Sequence, residues 1–320
     1  MNEALVMTNA NESLLSPVIA WGLNVIKVIQ NFLPEWILKI IDLLTKFSGE
    51  LMYILLLSFI LWCINYKKGY RLLWILAFSS ALNNVLKFSF RKLRPYQIDS
   101  EVYRFTEKGF STPSGHSQIS ASVFPVLASS CISKDSKVRR LLTAIFIPFI
   151  IGIFRICAGV HFPTDVLFGW AVGALTAVCV IFLWDKIASF VLKLPFSAKF
   201  LLACILCILM NQYAIEDVSM SGLLFGVMSA AIIMDKDKSK FDATSGSWLK
   251  KLIRYFLGLL LIAVFYFALK KLMPGEGSKY YLLSRFLRYA IMGFLEGYLI
   301  PKFFVLTKLA SGIKAEGSDA

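Results

Sequence analysis

Only two histidines occur in 320 residues, and both stand beside residues that handle phosphate. His116 closes the run Pro113-Ser114-Gly115-His116, and His161 lies six residues after Arg155 and four before Asp165. A third stretch, KFSFRKLRPY at 87–96, carries Lys87 and Arg94. These types suit phosphoryl transfer, in which negative charge spreads over three equatorial oxygens. Arg94 and Arg155 offer planar forks and Lys87 a point charge, with each charge-assisted hydrogen bond worth about 1.5–3 kcal/mol. Cations that hold the transition state more tightly than the ground state lower the barrier directly. Pro113-Ser114-Gly115 reads as a helix N-terminus, whose free N–H groups and dipole attract anions. The histidines can divide the remaining work, one attacking phosphorus and the other protonating the leaving alkoxide. Asp165, just past the helix-starting Pro163, is spaced to hold the other ring N–H of His161 and fix its tautomer. His161 is therefore the expected nucleophile and His116 the expected acid.

The elements that must position these residues are membrane spans. Hydrophobic residues make up 58% of the chain and charged residues only 17%, with mean hydropathy +0.68. Soluble domains run at roughly 45–50% apolar and about 25% charged. Apolar blocks at 51–66, 70–88, 114–132, 140–156, 163–184, 198–214, 218–234, 250–270 and 280–300 predict an all-α, polytopic bundle of about nine spans, each needing about 20 residues. The serine-rich block 114–132, with Pro125, belongs inside the bundle rather than against lipid. Ahead of these, Trp36, Ile37, Ile40, Ile41, Leu44 and Phe47 recur at helical spacing around Lys39, Asp42 and Lys46. That predicts an amphipathic interfacial helix, preceded by a weaker one near 18–31, with a span across 14–33 as the alternative.

Loop charge sets the orientation. Lys67, Lys68 and Arg71, then Lys134, Lys137, Arg139 and Arg140, then Lys186, Lys193 and Lys199, then Lys236 to Lys251, then Lys302 and Lys308 all fall on one side of a nine-span chain. That side is expected to be cytoplasmic, with the C-terminus inside. The ends of spans two and four and the starts of spans three and five then share the opposite, extracytoplasmic face, which gathers Lys87, Arg94, His116, Arg155, His161 and Asp165. The net charge of +14 is accounted for by these loops and this cluster, so nucleic acid is not an expected partner. The start of the chain lacks a basic n-region and a small-residue cleavage site, and no signal peptide is read there. Asn11-Glu12-Ser13 matches a glycosylation acceptor at the frequency chance allows. Six cysteines lie in apolar surroundings. Cys204 and Cys207 form a C-x-x-C with no second ligand pair, so packing is expected and no metal site.

Taken together, Lys87-x6-Arg94-Pro95, Pro113-Ser114-Gly115-His116 and Arg155-x5-His161-x3-Asp165 resemble the three-part signature of the type 2 phosphatidic acid phosphatase superfamily. That superfamily includes lipid phosphate phosphatases, undecaprenyl-pyrophosphate phosphatases and glucose-6-phosphatase. Soluble acid phosphatases and vanadium haloperoxidases share its site. The resemblance covers about residues 50–185. It implies a metal-independent reaction through a phosphohistidine, without a cofactor. His161 would be the nucleophile, Asp165 its partner and His116 the acid, with Lys87, Arg94, Ser114, Gly115 and Arg155 as the phosphate cradle. One departure stands out: the third motif usually begins Ser-Arg, and here Phe154 precedes Arg155, which removes a hydroxyl near the phosphate.

The expected organisation is an interfacial region (1–49), a five-helix phosphatase core (50–185) and an extension of about four spans (186–320). The expected activity is hydrolysis of a phosphate monoester or pyrophosphate on a lipid, whose headgroup enters beneath the loop 96–112. A lipid phosphotransferase using the same intermediate, and a non-catalytic lipid binder or transporter, are the alternatives. The oligomeric state and the particular lipid are not legible. Arg91 and Lys92 read as interfacial anchors, and Arg104 and Lys108 either steer a headgroup or are solvated. Arg285 and Arg288 read as anchors near the outer end of the last span. Glu296, nearer its middle, is expected to meet a partner in the bundle.

Overall fold

The computed structural model describes residues 17–237 and 240–313. The acceptor triplet at Asn11 and the start and end of the chain lie outside the described residues. Helices dominate: α1 Pro17–Phe32, α2 Glu35–Phe47, α3 Glu50–Phe59 running into a π-turn at Ile60–Ile64, α4 Tyr66–Phe90 and α5 Gly115–Cys131. They continue as α6 Lys137–Cys157, α7 Pro163–Lys193, α8 Phe196–Tyr213, α9 Ser219–Lys236, α10 Trp248–Leu272 and α11 Tyr281–Leu306. One two-residue antiparallel pairing joins Lys240–Phe241 to Gly312–Ile313.

Each of the nine apolar blocks is helical. Among the described residues seven helices are long and apolar enough to cross a membrane, or eight if Glu35–Phe47 and Leu51–Ile64 form one bent span. The multi-pass, all-α architecture stands, and the count is slightly lower than the blocks suggest. The two blocks outside that count form the shorter helices, α5 with 17 residues and α3 with 10 ahead of its π-turn.

The chain forms two compact units, one of Met1–Leu51 with Leu86–Val178 and the other of Met52–Val85 with Cys179–Ala320. The first holds α1 and α2 against the segments that carry the motifs. Its core packs Ile26, Val102, Ile156, Phe162 and Val166 together, and Gln30 Nε2 donates to Cys157 O at 2.9 Å. The amphipathic α2 buries Leu38, Ile41 and Thr45 against the unit. Trp36, Ile40, Leu44 and Phe47 point outward, which suits lipid. Asp42 and Glu35 both hold Arg104 (2.9 and 3.1 Å). Arg104 is thereby committed to α2 rather than free in solvent.

In the first unit α7 meets α5 backbone to backbone. A Cβ on Gly169 would lie 2.8 Å from Ser114 O, and one on Gly173 2.3 Å from Gln118 O. Small residues four apart allow this approach between membrane helices. It holds the start of α7, with Asp165, against the start of α5, with His116.

The second unit is built on Leu61, Trp62, Leu73, Leu224, Val227 and Phe304. Three of its cations pair with acids. Lys199 meets Asp235 at 2.6 Å, Lys302 meets Asp237 at 2.5 Å, and Arg285 meets Asp217 at 3.1 Å. Arg285 is thus an ion-pair partner where anchoring at the membrane surface was expected, because Asp217 sits just ahead of α9 within its reach. Glu296 is buried and accepts the Ser58 hydroxyl at 2.9 Å. All six cysteines are free, and Cys207 Sγ donates to Ser221 O.

Candidate active site

Three separate stretches of the first unit bring the motif residues into one buried cluster. Lys87 rides the last turn of α4. Arg91 then takes a left-handed backbone (φ 49°), which ends the helix and sends the chain toward Arg94. Arg155 closes α6 and is fully buried. Between α6 and α7, Gly159 adopts φ +66°, and a Cβ there would meet Val102 O at 2.1 Å. Only glycine fits both the dihedral and the approach, and this turn aims His161 inward.

Asp165 organises the cluster from the first turn of α7. Its carboxylate accepts the Ser111 hydroxyl (2.6 Å), the Thr112 hydroxyl (2.5 Å) and the Phe162 N–H (2.9 Å). Its backbone oxygen accepts the Ser114 N–H at 3.0 Å. One aspartate therefore joins the chain before His116 to the chain after His161. It does not bond the imidazole directly: His161 Nδ1 is 3.6 Å from Asp165 Oδ2, beyond hydrogen-bond range. Ser111 Oγ sits beside the pair, 3.4 Å from Nδ1. Ser111 was not singled out by the sequence, where one serine ahead of Thr112-Pro113 carries no signal of its own.

The opposite ring nitrogen of His161, Nε2, is 3.2 Å from Arg94 Nη1. A guanidinium can only donate, so Nε2 accepts and carries the lone pair. The ring proton is thereby assigned to Nδ1, facing Ser111 and Asp165. Burial, then the charges of Arg94, Arg155 and Lys87, hold the His161 pKa well below the ordinary imidazole value. The ring stays neutral at neutral pH, as a nucleophile requires.

The three cations have a common neighbour. Arg94 donates from Nη1 to Glu107 Oε2 at 3.1 Å and to Val160 O at 3.0 Å. Its Nε donates to Gly109 O (3.0 Å) and its Nη2 to Lys108 O (2.9 Å). Arg155 Nη2 donates to the same Glu107 Oε2, while its Nε and Nη1 are buried without a hydrogen-bond partner among the described residues. Lys87 Nζ donates to Phe110 O at 2.8 Å. Burial alone would push the Glu107 carboxyl up, but Arg155, by charge and hydrogen bond, with lesser help from Arg94, brings it down to about 2. Glu107 escaped the sequence reading because it belongs to no motif.

His116 lies in the electrostatic field of Arg155, Glu107, Lys87 and Arg94, with Gly49 close by: a Cβ there would be 3.6 Å from Nε2. Ser114 caps α5, its Oγ accepting from Ser117 Oγ at 2.9 Å, so both its hydroxyl oxygen and its N–H are engaged within the scaffold. Gly115 is the first residue of the helix, and the Ser117 N–H turns back to Ser114 Oγ. Phe154 is half-buried ahead of Arg155 and brings no hydroxyl. Among the described residues no three His, Cys, Asp or Glu side chains gather as a metal-binding group.

The PAP2 superfamily model matches residues 68–188, a range that contains all three motifs. The model for the transmembrane extension of PAP2 superfamily phosphatases matches residues 218–312. Phosphatidylglycerophosphatase B of Bacillus subtilis (strain 168) is 37% identical over 127 residues, which is 37% of this chain and 60% of that protein. The crystal structure of a transmembrane PAP2-type phosphatidylglycerolphosphate phosphatase from Bacillus subtilis is similar at a TM-score of 0.47 and 24% identity, over 57% of this chain and 94% of its own. That of Aquifex aeolicus LpxE gives 0.42 and 23%, over 50% and 94%. From its three motifs and the two matched regions, the chain belongs to the PAP2 superfamily.

Proposed function

We propose that this protein is an integral membrane phosphatase that releases phosphate from a lipid phosphate monoester or pyrophosphate through a phosphohistidine on His161. The observation that carries this reading is the convergence of Lys87, Arg94 and Arg155 on a neutral, buried imidazole whose accepting nitrogen faces a guanidinium. A phosphoryl group held by that guanidinium lies in the direction of the lone pair. His161 Nε2 attacks phosphorus, the bond from phosphorus to the ester oxygen breaks, and His116 gives that oxygen its proton. Water then attacks the phosphohistidine, His116 takes the water proton, and His161 is regenerated. The cations and the first turn of α5 stabilise the charge on the equatorial oxygens, and no metal ion is required.

Residues 50–185 serve as the catalytic core and 186–320 as an extension. The basic loops support a site on the extracytoplasmic side with the C-terminus inside. The similarity to phosphatidylglycerophosphatase B makes a phosphatidylglycerophosphate the first substrate to try. The test is phosphate release by purified protein in detergent with EDTA, across lipid phosphates and glucose 6-phosphate, beside His161→Ala. Release from one lipid class, reduced more than about 10⁴-fold in the variant as loss of a nucleophile requires, is expected. Activity that survives His161→Ala, or that needs a divalent ion, contradicts the mechanism. Transfer of the phosphoryl group to an added lipid alcohol in preference to water would make the protein a transferase instead.

A further inference from the structure

The cations assigned to the substrate already hold an anion of the chain itself. Glu107 Oε2 takes a hydrogen bond from Arg94 and another from Arg155. The carbonyls of Lys108, Gly109 and Phe110 take the next donors of Arg94 and Lys87. Four consecutive residues thus cover the cradle with one full negative charge and three neutral dipoles. We propose that Glu107 is a charge-matched plug that admits phosphate monoesters and keeps phosphodiester lipids out of the site. This inference rests on the phosphatase reading above.

The selectivity follows from charge. A phosphate monoester carries about −1.5 to −2 at pH 7, whereas a diester carries −1, the same as the Glu107 carboxylate. Exchanging Glu107 for a diester replaces one monoanion with another on the same two guanidiniums. It also replaces a tethered ligand, present at high effective concentration, with one that must be ordered from the bilayer. A dianion gains attraction to both guanidiniums and Lys87 in the exchange, and charge-assisted hydrogen bonds are the strong ones. A membrane presents anionic diester headgroups at high density, so an uncovered pair of buried arginines facing the bilayer surface would be occupied by them.

The local structure lets the carboxylate leave without unfolding the segment. Tyr96 Oη donates to Glu107 O (2.8 Å) and accepts from Glu107 N (3.1 Å), which pins the backbone of residue 107. The Glu107 side chain keeps 22% of its surface exposed, so rotation about its own bonds releases both arginines toward solvent. Gly109, in a left-handed conformation, has nothing within 4 Å of where a Cβ would sit, so packing does not lock the tip of the segment. Arg155 Nε and Nη1, buried without a partner among the described residues, are further donors for an incoming dianion.

The experiment compares wild type with Glu107→Gln and Glu107→Ala, using dioctanoyl phosphatidic acid as substrate and dioctanoyl phosphatidylglycerol as competitor. In both variants the inhibition constant of the diester should fall about tenfold or more, the effect of removing one charged competitor, and KM for the monoester should fall as well. An unchanged diester inhibition constant overturns the proposal. So does a raised KM with unchanged inhibition, which would mark Glu107 as a residue that merely orients Arg155. Calorimetric titration of dioctanoyl phosphatidylglycerol into the same proteins reads the difference without turnover. Absence of phosphate release by wild type would therefore refute the phosphatase reading and still decide the plug. Should neither variant fold, wild type decides: inorganic phosphate must compete at least about tenfold better than dimethyl phosphate, and equal competition overturns the idea.

Discussion

The two units of this chain treat buried charge in opposite ways. In the second unit each cation that pairs has its own acid: Lys199 with Asp235, Arg285 with Asp217, Lys302 with Asp237. Its fully buried Arg254 donates to Ala243 O and stacks on Phe241. In the first unit Lys87, Arg94, Arg155 and both histidines gather, among the described residues, around Glu107 and Asp165. Asp165 is occupied by two hydroxyls and an N–H, and Glu107 alone serves both arginines. Dispersed, matched pairs are what a scaffold in an apolar medium needs. A converged cationic excess, expensive to bury, is what an anion-binding site needs. On the proposed function, the difference separates a region that holds a shape from a region that does chemistry.

The sharpest way to break that comparison is at Arg155. Arg155→Lys keeps the charge but loses the fork, and kcat/KM should fall about 10²–10³-fold, with the melting temperature little changed. If activity survives intact, the converged cations are structural after all. A smaller effect is expected at Ser111, which positions His161 by holding Asp165 at 2.6 Å and standing 3.4 Å from Nδ1. Ser111→Ala should lower kcat about tenfold, the equivalent of one hydrogen bond, with KM unchanged. A changed KM with unchanged kcat would place Ser111 in binding instead.

The second unit gives the converse. Glu296→Ala removes the acceptor of the Ser58 hydroxyl and should lower stability by about 1–2 kcal/mol while specific activity stays at the wild-type level. Lost activity in a folded Glu296→Ala protein would move catalytic work into the extension.

Acid provides the mildest probe. The folded pKa of His161 is below its ordinary 6.5 and that of Glu107 is lowered from 4.5 to about 2. In both cases the unfolded chain accepts a proton that the fold refuses. The His161 contribution to stability is complete above pH 6.5 and declines as pH falls below it. The Glu107 contribution is complete above 4.5 and is lost as pH falls through about 2. Both histidines belong to the first unit, so His161→Asn should flatten the fall in melting temperature between pH 7 and 5. An unchanged slope would assign the acid sensitivity elsewhere.

The helical blocks and the motif residues were legible because each leaves a local signal: hydropathy over a span, or residue types at fixed spacing. Residues joined only by the folded loop were not. Glu107 and Ser111 sit in a segment whose conformation comes from bonds to Arg94, Lys87 and Asp165, all distant in sequence. The His161–Asp165 contact expected from an i, i+4 spacing is 3.6 Å long, with Ser111 beside it, for a related reason. His161 precedes α7 in a turn set by Gly159, so helical spacing does not govern its side chain. For Arg285 the signal was ambiguous, since an arginine near the end of a span looks the same whether it meets water or Asp217.

The stereochemical course at phosphorus tests the central claim most directly. A lipid thiophosphate monoester whose two non-bridging oxygens are different isotopes would be turned over by wild type with EDTA present, in water carrying the third oxygen isotope. Attack by His161 followed by attack of water makes two in-line displacements, so the released thiophosphate should show retention of configuration. Inversion, the mark of a single displacement by water, would contradict the phosphohistidine.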